Sequence, residues 1–265
     1  MNFDARRMKR LERDGYNLIG RRYAAAAGPR ADLLRAVLDA ARLGPGQRVL
    51  DVAAGPGLLA SAALDRAPDA WIVATDLAEA QLACCPGLPR AAADAERLPF
   101  ADGSFDRALC GLGLMFFPDP EKAVAEIRRV LAPGGLLALS VWGIRERTPL
   151  VACALDCLAR VLPPPKVARP SIFRFGEAAA LARALAGFAP PEVRPVPLVV
   201  EFPDAAAYWQ AFLDLAGGAT GSLARLPADR QNALAAEVAR ELAPFATPAG
   251  YRLQSEVLVA VAVRQ

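Results

Sequence analysis

No histidine occurs anywhere in the 265 residues. The chain therefore lacks the side chain that most often moves protons near neutral pH, and the commonest metal-ligating imidazole with it. Cysteine is scarce and odd in number: five residues, at 84, 85, 110, 153 and 157, without framework spacing. A reduced, intracellular protein is the simplest reading, and a cytoplasmic location is expected. Cys153 and Cys157 stand four apart on one helix face, but a zinc site there would be short of ligands; packing is expected, and no metal. Basic residues never run five or six together, and a net charge of +3 is mild, so nucleic acid is not an expected partner. No stretch of about 20 apolar residues free of charge, Gly and Pro suggests a membrane span. The charged opening, MNFDARRMKRLERDG, has no apolar segment of a secretory signal.

What is present is apolar: 54% hydrophobic against 22% charged residues, enough for a sizeable core and against global disorder. The most informative stretch is Gln47 to Ala60, QRVLDVAAGPGLLA. Val49-Leu50-Asp51-Val52 suits a buried parallel strand, Ala53 to Gly57 a tight loop, and Leu58 onward a helix start. A strand, glycine loop and helix N-terminus offer backbone N–H groups to a ligand. Gly55-x-Gly57-x-x-Ala60 also fits a dinucleotide fingerprint, but Asp51 at the strand end would repel a pyrophosphate and attract a ligand carrying an ammonium group. S-adenosylmethionine (SAM) has an ammonium and a sulfonium, and no phosphate.

Strands and helices then alternate, as in a parallel doubly wound sheet. Helices are expected at 29–43, 57–66 and 120–131, and strands at 70–75, 90–94, 105–110 and 136–142. Asp76 closes the second strand about twenty residues past the glycines, where a carboxylate reaches ribose hydroxyls; it equally suits the N-cap of the next helix. Gly111 to Phe117, apolar and directly after a strand, lines either core or a pocket. Past Gly143 the rhythm loosens: helices at 149–162 and 176–187, a strand at 195–202, and a last strand at 257–263. Between those strands, 203–243 reads as helical, broken at Gly217-Gly218 and rich in aromatics; it is too long for an ordinary connection and is expected to form a cap.

VLDVAAGPG (49–57), ATD (74–76), ADAERLPFADGSFD (93–106) and LGLMFFPDPEKAVAEIRRVLAPGG (112–135) stand in one order over roughly residues 45–143. In these segments the chain resembles the class I SAM-dependent methyltransferases, most closely the branch of ubiquinone/menaquinone-biosynthesis C-methyltransferases and many small-molecule methyltransferases. The resemblance implies an α/β, Rossmann-like doubly wound sheet of seven strands, the last antiparallel. It implies one methyltransferase domain over 1–265: an N-terminal lid (1–28), a SAM-binding core (29–143), the rest of the sheet with its helices (144–202 and 251–265), and a cap insertion (203–250). Carried over by position, Asp51, Ala53, Gly55 and Gly57 line the methionine end of SAM. Asp76 takes the ribose and Leu77 the adenine face. Asp94 and Ala95 meet the adenine edge, and Cys110 and Gly111 close the site. An N-terminal aromatic, Tyr16 or Tyr23, lies over the cofactor. Met115, Phe117, Trp142, Trp209 and Phe212 are expected on the substrate side.

Relatives of this kind often use histidine as general base, which this chain cannot. Either an Asp, Glu or Tyr takes the proton, or orientation of an acidic nucleophile suffices. No Asn-Pro-Pro-Tyr follows the fourth strand, which argues against methylation of a base nitrogen. The expectation is therefore methyl transfer from SAM, leaving S-adenosylhomocysteine (SAH), to an O or C atom of a small apolar quinone-, phenol- or polyketide-like metabolite. Two alternatives remain: a SAM-binding protein with chemistry other than methyl transfer, and an NAD-dependent oxidoreductase. The second lacks a Tyr-x-x-x-Lys or histidine catalytic set. A homodimer is left open.

Overall fold

The computed structural model describes residues 3–26, 31–85, 87–163, 168–217, 223 and 226–265. The expected start of the second helix at Pro29, the breaker Gly218 and the proline pair 164–165 lie outside the described residues.

Strands β1 (Arg48–Val52), β2 (Trp71–Asp76), β3 (Arg90–Ala92), β4 (Phe105–Gly111) and β5 (Leu131–Trp142) pair in parallel, in the order β3-β2-β1-β4-β5. Beyond β5 lie β8 (Gly250–Val263) and then β6 (Glu192–Phe202), with β8 antiparallel to both neighbours. Seven strands with the last one antiparallel are what the resemblance implies. An eighth, two-residue strand, β7 (Ala246–Thr247), hairpins onto β8.

Val49, Leu50 and Val52 are fully buried in the middle of the sheet, which is why β1 reads as one apolar run. The last strand is longer than 257–263 because its first half, YRLQSE, also pairs with β6, with Leu253 and Ser255 buried and Arg252 and Gln254 exposed. Only the second half sits at full depth under helices. At the edge, β6 tolerates Pro195 and Pro197 because residues two apart turn their missing N–H groups to the same, unpaired side. The turn at Pro133-Gly134-Gly135 lies inside β5, where pairing jumps from Phe105–Leu131 to Arg107–Leu136.

Helices α1 (Ala5–Ala25), α2 (Ala31–Ala41), α3 (Leu58–Arg66), α4 (Glu79–Leu82), α5 (Pro120–Val130), α6 (Pro149–Val161) and α7 (Ala178–Ala184) cover the sheet. In the insertion between β6 and β8 lie α8 (Ala205–Leu215) and α9 (Ala228–Leu242). Several are capped locally: Asp4, Asp119 and Asp204 accept from the third amide onward at 3.0, 3.0 and 2.7 Å. The expected lid segment is one 21-residue helix running through Gly15 and Gly20. Glycine at 20 eases the packing there, because a Cβ would stand 3.0 Å from the carbonyl oxygen of Ala80 at α4 and one of the two would have to give by a few tenths of an ångström. That close approach seats α1 across the carboxyl edge of the sheet.

Candidate functional site

The carboxyl ends of β1, β2 and β4 open into a cleft roofed by Lys9, Glu12, Tyr16 and Tyr23 of α1. Two loops shape its floor by adopting left-handed backbone at ordinary residues: Ala53 after β1 (φ 55°) and Leu112 after β4 (φ 53°). Leu112 is held there by its N–H, which donates to the carbonyl and hydroxyl of Ser140, both at 3.1 Å.

Asp51 and Asp76 anchor the glycine loop from below. One oxygen of the fully buried Asp51 accepts from Ala60 N–H at 3.0 Å; its other oxygen, Oδ1, has no partner. Asp76 accepts from Gly55 N–H and from Ala78 N–H, each at 2.8 Å. It thus ties the loop to the start of α4 while lining the cleft. Burial pushes the Asp51 carboxyl up to about 8, against the Ala60 bond, with the Asp76 charge adding to the rise. Burial raises Asp76 as well, opposed by its backbone donors. Gln81 of α4 adds another buried oxygen without a donor, Oε1, across from Gly55, while its amide donates to Tyr16 O at 3.1 Å. The cleft thus holds acceptors waiting for donors.

Asp94 and Glu96 receive Lys9 at 2.7 and 2.5 Å, joining α1 to the loop after β3. Leu77, Ala95, Gly111 and Phe117 line the same cleft. Asp51, Ala53 and Gly55 continue it beneath Tyr23 into a small extension that also contains Leu112. Gly57 and Cys110 are not on its surface. Gly57 caps α3 with φ 74°, where a Cβ would collide with Cys85 Sγ. The Cys110 thiol, pushed up to about 12 by burial, packs in the core under β4.

A second, larger cavity adjoins the first. Its walls are mostly apolar: Met115 and Trp142 from the sheet side, Leu150 and Leu155 from α6, Phe202 from β6, Phe212 from α8. Glu12, Tyr16 and Phe116 line both spaces and form the partition between them. The rings of Tyr16 and Phe116 meet edge to face at 6.0 Å, and Tyr16 meets Tyr23 in the same way at 5.8 Å. Phe117 falls on the cleft side, because the short turn over Leu114–Phe116 redirects it. Trp209 stacks on Phe212 at 5.4 Å and packs against the core, outside both cavities. Tyr208 lines the second cavity, but its hydroxyl bridges Leu150 O and Ala154 N–H, each at 3.0 Å.

Sequence reasoning passed over Glu12, Gln81 and Arg174, and took Phe116 only as part of the apolar run from Gly111 to Phe117. Arg174 donates to the carbonyls of Leu114 (3.4 Å), Met115 (3.2 Å) and Phe117, fixing the partition from behind. Only a polar residue on an otherwise apolar helix face, as at Glu12 and Gln81, could have signalled any of them.

Unpaired buried acceptors at Asp51 and Gln81, beside Gly55, fit a ligand whose donors include an ammonium group, and the acid at Asp76 fits a ribose. A methyltransferase-domain model matches residues 50–139. The demethylmenaquinone methyltransferase of Renibacterium salmoninarum is 39% identical over 133 residues, 49% of this chain and 55% of the relative, so the chain spans about half the length of that protein. Among solved structures, YcgJ from Bacillus subtilis superposes with a TM-score of 0.58 at 20% identity, over 88% of this chain and 97% of that one. The [4+2]-cyclase SpnF gives 0.52 at 20% identity over 87% and 79%. Among the described residues, no helix is long and apolar enough to cross a membrane. The matched region, residues 50–139, is a methyltransferase domain, and the strand order and motifs around it are similar to those of the class I SAM-dependent methyltransferases.

Proposed function

We propose that this protein transfers the methyl group of SAM to an oxygen or carbon of a small, largely apolar metabolite of quinone, phenol or polyketide type, in the cytoplasm. The observation that carries this is the pairing of two cavities: an acceptor-lined cleft at the strand ends and a larger apolar chamber, sharing Glu12, Tyr16 and Phe116. The named activity of the Renibacterium relative, on a demethylmenaquinone, supports an apolar acceptor.

Asp51, Gln81 and Gly55 would hold the amino-acid end of SAM, and Asp76 its ribose. Leu77, Asp94 and Ala95 would hold its adenine, with Ala53, Gly111 and Tyr23 closing over it. When bound, SAM supplies an electrophilic methyl carbon that needs no metal or acid to activate it. The chain's part is alignment and exclusion of water: α1 roofs both spaces and Phe116 sets the gap between them.

Isothermal titration with SAM and SAH, followed by mass spectrometry of reduced naphthoquinone and phenol acceptors, tests this. Micromolar binding of both and a 14-dalton gain on an acceptor are expected, one CH₂ per transfer. Absence of SAH binding at high micromolar ligand would sink it. A second reading, chemistry other than methyl transfer, draws on the missing histidine and on the fold shared with a cyclase. SAM bound tightly and never converted to SAH with any of these acceptors would favour it.

A further inference from the structure

We infer that Glu12 is the catalytic base, taking the proton of an acceptor hydroxyl, phenolic or enolic, that enters the apolar chamber. This rests on the methyl-transfer reading above.

Among the described residues lining the chamber, Glu12 is the one carboxylate, and it also lines the cofactor cleft. A group that removes a proton as a methyl group arrives must face both spaces. Its competitors are otherwise engaged. Tyr208 spends its hydroxyl on the backbone of α6, and Arg145 pairs with Asp156. Tyr16 shares the partition, but burial raises its phenol well above the ordinary range, so it stays protonated.

Glu12 itself is only 8% exposed. Burial raises its carboxyl, making it a better base than a surface glutamate, while Arg169, 2.7 Å away, pulls the other way and favours the charged form. Arg169 also lines the chamber, so the pair presents an anion with a neighbouring cation to whatever fills it. In the step, the acceptor O–H bond breaks and its proton ends on a Glu12 oxygen. The acceptor's electron pair, on O or on a conjugated C, forms the bond to the methyl carbon, and the electrons of the S–CH₃ bond stay on sulfur, leaving neutral SAH. No oxidant or reductant is needed.

The simpler account is a latch, an ion pair that only holds α1 against the segment around Arg169. The two roles separate on a hydroxyl-specific readout. With SAH bound, 1-naphthol and its methyl ether, 1-methoxynaphthalene, are titrated by calorimetry into the wild type, Glu12→Gln and Glu12→Asp. The wild type is expected to favour the naphthol by about tenfold or more, the usual scale of a hydrogen bond to a charged group. Glu12→Gln should erase most of that preference and leave SAH affinity unchanged; Glu12→Asp should keep part of it. Single-turnover transfer to 1-naphthol should fall by roughly 10²- to 10⁴-fold in Glu12→Gln, and far less with pentafluorophenol, already ionised at neutral pH. Equal wild-type affinity for naphthol and ether, no binding of either, or a preference that survives Glu12→Gln overturns the assignment. Parallel loss of SAH and naphthol affinity in Glu12→Gln shows the latch instead. If the wild type fails to bind SAH, the methyl-transfer reading has fallen first. Where neither acceptor turns over, the binding comparison decides alone.

Discussion

Asp76 at the end of β2 accepts from the backbone N–H of Gly55 in the loop after β1, at 2.8 Å. One carboxylate therefore fixes the glycine loop and faces the cleft where a ribose would lie. Removing it costs twice: the loop loses its tie, and the ligand loses an acceptor. Asp76→Ala is expected to weaken SAH binding by about 10- to 100-fold, from one or two hydrogen bonds to a charged group. Asp76→Asn should lose less, because its amide oxygen still accepts from Gly55. Calorimetry with SAH checks this; equal affinity in all three proteins would remove Asp76 from the site.

Asp51 makes binding depend on pH. Its folded-state carboxyl lies at about 8, against an ordinary value of 3.8, because it is buried with one oxygen unpaired. Between those values the folded chain holds a proton that the unfolded chain has released, so this group lowers stability as pH rises from 4 to 8. An ammonium ligand binds the ionised form, and below about 8 it must displace that proton. Affinity for SAM should therefore climb from pH 6 toward 8, flattening where the ligand's own α-ammonium begins to titrate, at about 8. Calorimetry in buffers of different ionisation enthalpy should register proton release at pH 6.5. Asp51→Asn should raise the melting temperature of the free protein at pH 8 and abolish SAM binding.

The sheet was legible because buried parallel strands are written as short apolar runs ending in Asp51, Asp76 and Gly111. The cleft followed from those strand ends. Less legible was whatever depends on distant contacts. Gly20 sits inside α1 where the helix comes close to Ala80, a contact that nothing in the local sequence announces. Trp209 looks like a cavity residue from its chemistry, but stacking on Phe212 turns it toward the core. Glu12 and Arg169 are 157 positions apart, and nothing local announces that they meet.

Arg174 holds the partition without touching either cavity. Its guanidinium serves the carbonyls of Leu114, Met115 and Phe117, lies 4.9 Å from the Phe175 ring and, among the described residues, pairs with no carboxylate. Burial lowers its pKa, as expected of a cation with that surrounding. Arg174→Ala would take that donor from the Met115 and Phe117 carbonyls, while Leu114 O keeps the N–H of Phe117 at 3.3 Å, at about 1–3 kcal/mol for a buried group left unpaired. We expect a lower melting temperature together with weaker binding of 1-naphthol, since Met115 and Phe116 lose their anchor. Arg174→Lys should restore only part, because one ammonium lacks the planar fork. Unchanged naphthol binding in Arg174→Ala would show that the partition holds itself.

Gly57 is the strictest position in the loop, although it touches no cavity. Its φ of 74° is left-handed, and an added Cβ would stand 2.1 Å from Cys85 Sγ and 2.9 Å from Cys85 Cβ. Gly57→Ala thus meets backbone strain of about 1–2 kcal/mol and an overlap that Cys85, fully buried, cannot relieve by turning its side chain alone. A chain of this size loses about 2–4 °C per kcal/mol. We expect Gly57→Ala to melt roughly 5–10 °C lower on that scale, and to weaken SAH because Ala54, Gly55 and Ala60 must shift with it. Gly46→Ala is the matched control: it is also left-handed, at φ 67°, but has nothing within 4 Å of an added Cβ. It should lose only the strain and leave SAH binding intact. Equal losses in the two variants would mean that Cys85 yields and that the loop is softer than its packing implies.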